Sequence, residues 1–322
     1  MRFAFTNEQL EIRDAVRDAL ETECSPEVVR SAWQSPAGHL WPLLAELGVL
    51  GVNLPESVGG LGMSAVDWVL LLEESGRVAL PDPLADVVTA APFLVESGQT
   101  ELAASLAAGQ ARVCVLYEDD PGLDADRAAL ILRVQGTEVH AIREPTLTVQ
   151  KSMDGARRLF SVTGRAEPLD GDGGSLVDRG VLAASAQLLG LTRHVLDAAV
   201  AYSKERTQFG KAIGSFQAVQ HHLVDALLAL RFAAPMVYRA AWSQHESDPE
   251  ASMHTSMAKI YATEAARLAC RKSLQVHGAI GYTFEYDLHM WMKRIWALAA
   301  AWGDPARHRD RVAATILGEH HA

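Results

Sequence analysis

Three apolar stripes at helical spacing run through the second half of the chain and do most to limit what it can fold into. Leu188, Leu191, Val195, Ala199 and Tyr202 repeat on one face, Phe216, Val219, Leu223, Leu227 and Leu230 on a second, and Met253, Met257, Ile260 and Leu268 on a third. Each predicts a long amphipathic helix, and consecutive helices of this kind pack as an antiparallel bundle. The first 110 residues are also helical in character. Thr6 is placed to cap a first helix with Gln9 as its capping-box partner, and Phe5, Ile12, Val16 and Leu20 mark its apolar face. A helix ending near Gly48, a Pro- and Gly-rich loop over 54–62 and a helix from Ser64 follow, and 84–110 favours helix with stops at Gly98 and Gly109. Between the two helical halves, ARVCVLY, AALILRV, TEVHAI, TLTVQ and RRLFSVTG are β-leaning runs at short intervals, with a tight turn at Gln135-Gly136. The predicted class is α+β: an N-terminal helical domain over 1–110, a small β-domain over 111–167 and a C-terminal helical bundle over 168–322.

Charge narrows the partners. With 29 Lys and Arg against 40 Asp and Glu, the net charge of −11 argues against nucleic acid or an anionic membrane surface. Any anion must therefore be held by a local cluster of cations. Cys24, Cys114 and Cys270 are far apart with no C-x-x-C, which suggests neither a zinc site nor a disulfide framework, and a reducing cytoplasm is the expected location. The N-terminus enters an amphipathic helix without a signal-type h-region, and no run approaches a membrane span. His221, His222 and Asp225 lack the H-E-x-x-H spacing of a zinc helix, so no metal is predicted.

One local cluster of cations stands out in KERTQFGKAIGSFQAVQHH, residues 204–222. Gly210 and Gly214 bracket a short connection between two helices and let another group approach the backbone. A helix starting near Ser215 would offer unpaired N–H groups and the positive end of its dipole, with Arg206 and Lys211 nearby. On the residues alone two readings stay open: a phosphate site, or an ordinary helix capped by Ser215 beside solvated cations. A second stretch, SLQVHGAIGYTFEYDLHMWMKR, ends a long helix at Gly278 and turns through Gly281.

RTQFGKAIGSFQAVQ followed about sixty residues later by QVHGAIGYTFEY resembles the C-terminal domain of the acyl-CoA dehydrogenases, with their R-x-x-F-G-K…F-Q and Q-x-x-G-G-x-G-Y elements. The N-terminal LLAELGVLGVNLPESVGGLG and the EESGR helix are similar to the same family. The resemblance covers most of the chain and is weakest in the middle. It implies a C-terminal four-helix bundle through which subunits pair, FAD as cofactor and an acyl-CoA substrate. It also implies that Arg206, Gln208, Phe209, Ile213, Phe216 and Gln217, with Gln275, Val276, Gly278 and Ala279, face the pyrophosphate and adenosine half of a neighbouring subunit's FAD.

The family's reaction takes the substrate α-proton with a glutamate while the β-hydrogen leaves as hydride to the flavin. Neither family position for that base is acidic here. One falls at Trp302-Gly303 and the other at about Gly180. Asp178 and Asp304 are the nearest carboxylates, with Asp178 the stronger candidate and Asp304 more simply a stop signal after a helix. The T-E-P-x-A-G-S-D loop and W-I-T strand that hold the flavin ring in the family are also missing from CVLYEDDPGLDADRAALILRV, and the sheet is short. The resemblance therefore points to the short subunit of a bacterial heteromeric α2β2 acyl-CoA dehydrogenase of steroid side-chain degradation. A longer partner would bring the base and the ring site, and an electron-transferring flavoprotein would be the acceptor. The alternatives are a self-sufficient homotetramer using Asp178, and a non-enzymatic acyl-CoA- or protein-binding scaffold.

Overall fold

A computed structural model describes residues 4–318 apart from 36, 37 and 39. Six helices precede the sheet: α1 (Asn7–Glu23), α2 (Pro26–Ala32), α3 (Trp41–Glu46), α4 (Ala65–Arg77), α5 (Leu84–Glu96) and α6 (Thr100–Ala107). The Thr6/Gln9 capping box forms as predicted, and Ser64 forms another with Asp67 at the start of α4. Gly98 and Gly109, both at positive φ, follow α5 and α6.

The sheet holds β1 (Val113–Tyr117), β2 (Gly122–Leu123), β3 (Leu130–Gln135), β4 (Glu138–Gln150) and β5 (Leu159–Leu169) in the order β1-β3-β4-β5-β2. The runs TEVHAI and TLTVQ are one strand, β4, whose register against β5 shifts between Arg143 and Thr146, where Glu144 takes φ +49°. β1 pairs parallel with β3, and β5 continues to Leu169, two residues past the predicted domain boundary. The β3–β4 corner is Gly136-Thr137, with Gly136 at positive φ.

The bundle is built from α7 (Gly173–Glu205), α8 (Gln217–His245), α9 (Ala251–His277), α10 (Leu288–Ala300) and α11 (Pro305–Leu317). The α7 stripe predicted from sequence is core: Leu188, Leu191, Val195 and Ala199 are fully buried. α4 crosses α7 at backbone contact. A Cβ on Gly190 would stand 1.8 Å from the Glu73 carbonyl oxygen, and one on Gly76 would stand 2.2 Å from that of Gln187. Buried charges pin the same crossing, with Glu73 bound by Arg193 at 3.0 Å and Tyr238 at 2.7 Å.

Of the other two stripes, that of α9 does not face inward as predicted, and that of α8 does so only in part, through Leu230 and Leu223. α9 buries small and polar residues, among them Ala258, Ala262, Ala266 and Ala269, while Met253, Met257, Ile260 and Leu268 lie half-buried to one side. In α8 the inward residues are Ala226, Leu230, Ala233 and Val237, and Leu227 is exposed beside Val224, Leu228 and Phe232. Alanines let three helices approach closely, so the larger side chains are pushed to the flanks. The result is an exposed apolar strip on the outside of α8.

Candidate functional site

α7, α8 and α9 alternate in direction, so the C-termini of α7 and α9 and the N-terminus of α8 share one end of the bundle. Tyr202 on α7 stacks on His277 of α9 at 4.5 Å, which ties the two predicted motifs together there. His277 is also held by Tyr286, at 3.1 Å from Nε2.

The connection between α7 and α8 is a small hairpin of β6 (Thr207–Gln208) and β7 (Lys211–Ala212). Its two corner residues, Phe209 and Gly210, both sit at positive φ, the geometry of a two-residue turn, which glycine accepts and phenylalanine tolerates at a cost. Phe209 is 91 % exposed. Its ring meets Phe216 edge-on at 6.1 Å, and Lys211 Nζ lies 4.4 Å from the centre of the Phe216 ring. Gly214 is needed for contact rather than torsion: a Cβ there would stand 2.9 Å from Ser203 Oγ.

The predicted cap is corrected. α8 begins at Gln217 with Phe216 at its N-cap, and the Ser215 hydroxyl donates to the Ala212 carbonyl instead of capping the helix. No side chain therefore satisfies the first N–H groups of α8, which stay available. Arg206 is exposed, and its guanidinium makes no hydrogen bond or ion pair among the described residues. Gln208 and Gln217 are exposed, and Ile213 and Phe216 half-buried, on the same surface. In the second motif Gln275, Gly278 and Ala279 are exposed, and Gly278 takes φ +65° with open space where a Cβ would be. Val276 is buried and presents no side chain to this surface.

Gly180, one position predicted for a carboxylate base, meets Trp302, the residue before the other position, Gly303. A Cβ on Gly180 would stand 2.6 Å from ring atoms of Trp302, so the indole fills the space in front of Gly180. Trp302 stacks on Tyr117 at 5.4 Å and sits at φ +59°. Its N–H donates to Asp120 Oδ2 and its carbonyl lies 3.0 Å from His308 Nε2. Gly303 follows at φ +89° against Arg307 and His308. Asp304 caps α11, accepting from the Arg307 N–H at 2.9 Å, and that bond holds its carboxyl below the usual range. Asp178 accepts from Arg311 at 2.7 Å on one oxygen and from Ser252 on the other. It lines a cavity of about 590 Å³ with Trp68, Ser175, Arg179, Gln244 and Asp248.

Between the β-domain and the bundle, the space beneath Trp302 is a void of only about 30 Å³, bordered by Leu80, Asp86, Arg157, Gln187, Arg294 and Trp302. That is room for one water, far below the size of a ligand pocket. The walls carry buried charge that the sequence did not disclose. Arg294 pairs with Asp154 and donates to the Leu80 carbonyl. Lys259 is fully buried in α9 and caps the end of α10, its ammonium bonded to the carbonyls of Leu298 and Ala301.

Burial pushes the Asp86 carboxyl up to about 7 and the Lys259 ammonium down to about 7. From about pH 4 to 7 the folded chain holds an Asp86 proton that the unfolded chain has lost, so stability falls as pH rises. From about pH 7 to 10 the unfolded chain holds a Lys259 proton that the folded chain has lost, so stability rises again. Denaturant titrations across this range are expected to show these opposed slopes. Asp86→Asn should flatten the acid limb and Lys259→Met the alkaline one.

Among the described residues no helix is long and apolar enough to cross a membrane, and no group of His, Cys, Asp and Glu is placed to hold a metal. His222 and Asp225 both bind Lys272, each at 2.9 Å.

Residues 6–110 match the model for the acyl-CoA dehydrogenase N-terminal domain, and residues 176–317 match that for the C-terminal domain. The acyl-CoA dehydrogenase IpdE2 of Mycolicibacterium smegmatis is 32% identical over 310 residues, covering 95% of this chain and 98% of that protein. Among solved structures, the ChsE4–ChsE5 complex of Mycobacterium tuberculosis has a TM-score of 0.89 at 21% identity over 99% of both chains. A variant of the Tcur3481–Tcur3483 steroid ACAD has a TM-score of 0.89 at 22% identity, over 98% of this chain and 99% of that one. Helical halves, intervening sheet and bundle thus agree with the sequence matches, and the chain belongs to the acyl-CoA dehydrogenase family, FAD-dependent oxidoreductases that act on the CH–CH bond of acyl-CoA thioesters.

Proposed function

We propose that this chain is the FAD-site-completing, non-catalytic subunit of a heteromeric acyl-CoA dehydrogenase. The observation that carries the reading is the indole of Trp302 lying on Gly180. It fills the space in front of Gly180, Gly303 beside it carries no carboxylate, and the void beneath it is too small for an isoalloxazine ring. The dinucleotide's other half does fit. Arg206 offers an unengaged fork of donors for pyrophosphate oxygens, the uncapped start of α8 adds N–H groups, and Phe209 and Phe216 offer apolar faces to the adenosine. Gln208, Ile213 and Gln217 line the same surface, and Gln275, Gly278 and Ala279 add close backbone approach from the end of α9.

FAD, when bound, accepts the hydride. What these residues do is hold its far end, while a longer family member supplies the glutamate, the acyl pocket and the ring site. The apolar strip on α8, with Phe232 68 % exposed, is the surface we assign to that partner. Asp178 is a poor base in a self-sufficient homotetramer, since Arg311 and Ser252 engage its two oxygens. The steroid CoA ester as substrate is supported by the similarity to the steroid ACAD, and the heteromer by the similarity to the ChsE4–ChsE5 complex. An electron-transferring flavoprotein is the expected acceptor.

The chain purified alone should be colourless and inert, and the chain co-purified with its longer partner yellow and able to reduce an electron acceptor with an acyl-CoA. A yellow, active lone chain would show the heteromer reading to be wrong. A complex that stays colourless would favour a scaffold.

A further inference from the structure

A crevice of about 250 Å³ opens above the closed void, between the β-domain and α10. Its lining includes Val115, Tyr117, Trp296 and Trp302, with Arg157 and the carboxyls of Asp86 and Asp120 among its polar groups. Three of those walls are aromatic, and Trp296 stands partly exposed at the edge.

Arg157 is the anomaly. Its Nε is buried without a hydrogen-bond partner, and its side chain makes no ion pair among the described residues. The carboxyls around it each bond another group. Asp86 accepts the Val115 N–H and Asp120 accepts the Trp302 N–H, both at 3.2 Å, and burial pushes both carboxyls upward toward their neutral form. Asp154 is taken by Arg294. Lys151 adds a second cation at the lining. The buried Nε lacks an acceptor, and an anion of matching geometry docked on the guanidinium's fork would supply one.

We propose that this crevice binds a small monoanion with a flat apolar body, its carboxylate on Arg157 and its ring among Tyr117, Trp296 and Trp302. The volume is below that of a usual drug-sized site, which limits the ligand to about one substituted ring and excludes a dinucleotide or a whole acyl-CoA. The inference goes beyond the subunit role and rests on one part of it, that no flavin ring enters this crevice.

The test uses the full chain and three probes of similar flatness: benzoate, benzamidine and FMN. Tryptophan fluorescence and calorimetry are expected to report benzoate binding, with benzamidine, the same ring carrying a cation, inert. Arg157→Gln should weaken benzoate by at least about tenfold, the loss of a charge-assisted bond. Trp296→Ala, at the partly exposed rim, should fold normally and weaken it several-fold. No benzoate binding up to about 10 mM overturns the inference alone. Equal binding of benzamidine, or undiminished benzoate binding by a folded Arg157→Gln chain, does the same. Displacement of benzoate by FMN overturns the flavin-free reading of the crevice and the inference with it.

Discussion

Trp302→Ala is expected to destabilise the chain by about 3–5 kcal/mol, as removal of a well-packed buried indole does. Four kinds of contact are lost together. The ring leaves the face of Gly180, the stack on Tyr117 is broken, and the backbone bonds to Asp120 and His308 lose the packing that aligns them. The residue's left-handed torsion adds a sign that distinguishes two truncations. Alanine at φ +59° keeps the strain that glycine does not, so Trp302→Gly should be less damaging than Trp302→Ala by about 1 kcal/mol, although it removes one more carbon. Urea titration of the wild type and both variants measures the order. Equal stability of wild type and Trp302→Ala would mean that the indole is not a structural filler. Glycine below alanine would mean that the torsion is not strained.

Arg206→Ala should leave the fold intact and strip flavin from the assembled complex. The side chain is exposed and makes no hydrogen bond or ion pair among the described residues, so its removal is expected to change unfolding free energy by less than about 0.5 kcal/mol. Charge-assisted bonds to a pyrophosphate contribute about 1.5–3 kcal/mol, so FAD held by the co-purified pair should weaken by roughly 10- to 100-fold. Flavin retained after gel filtration, read against the protein absorbance, gives the answer. Arg206→Lys should restore part of the binding, as a point charge replaces a planar fork. A complex that holds its flavin undiminished in the alanine variant would remove Arg206 from the cradle.

Much of this architecture can be read from residues in sequence order. Thr6 with Gln9, Gly98, Gly109 and the turn at Gly210 act through torsions and bonds within a few residues, so their outcome is local. The α7 stripe is legible because large side chains line a fully enclosed face. α9 misleads for the opposite reason. Its enclosed face is mostly alanine, serine and threonine, and the larger Met253, Met257, Ile260 and Leu268 lie to the side, so a search for large apolar residues finds the wrong face. The two short runs merge into β4 across a bulge between Arg143 and Thr146, where Pro145 reads in sequence as a break although the strand continues. Both candidate base positions, Gly180 and Gly303, read as non-acidic in sequence, but the indole of Trp302 lying on Gly180 does not. Gly180 and Trp302 are joined only by the packing of the loop after α10 against α7. The isolation of Arg157 likewise depends on which carboxylates other groups have already engaged.

The length of α7 separates two places that a linear motif map would put together. From Gly180, where the indole walls the crevice, to Arg206 at the hairpin, the helix advances by about 26 residues, close to 39 Å at its ordinary rise. One helix thus acts as a ruler between the chain's blocked end and its open end. A single flavin cannot touch both, so the crevice and the cradle answer to different molecules. Substitutions at one end can then accumulate without consequence for the ligand at the other, and the close backbone crossing of α4 on α7 keeps the spacing fixed while they do.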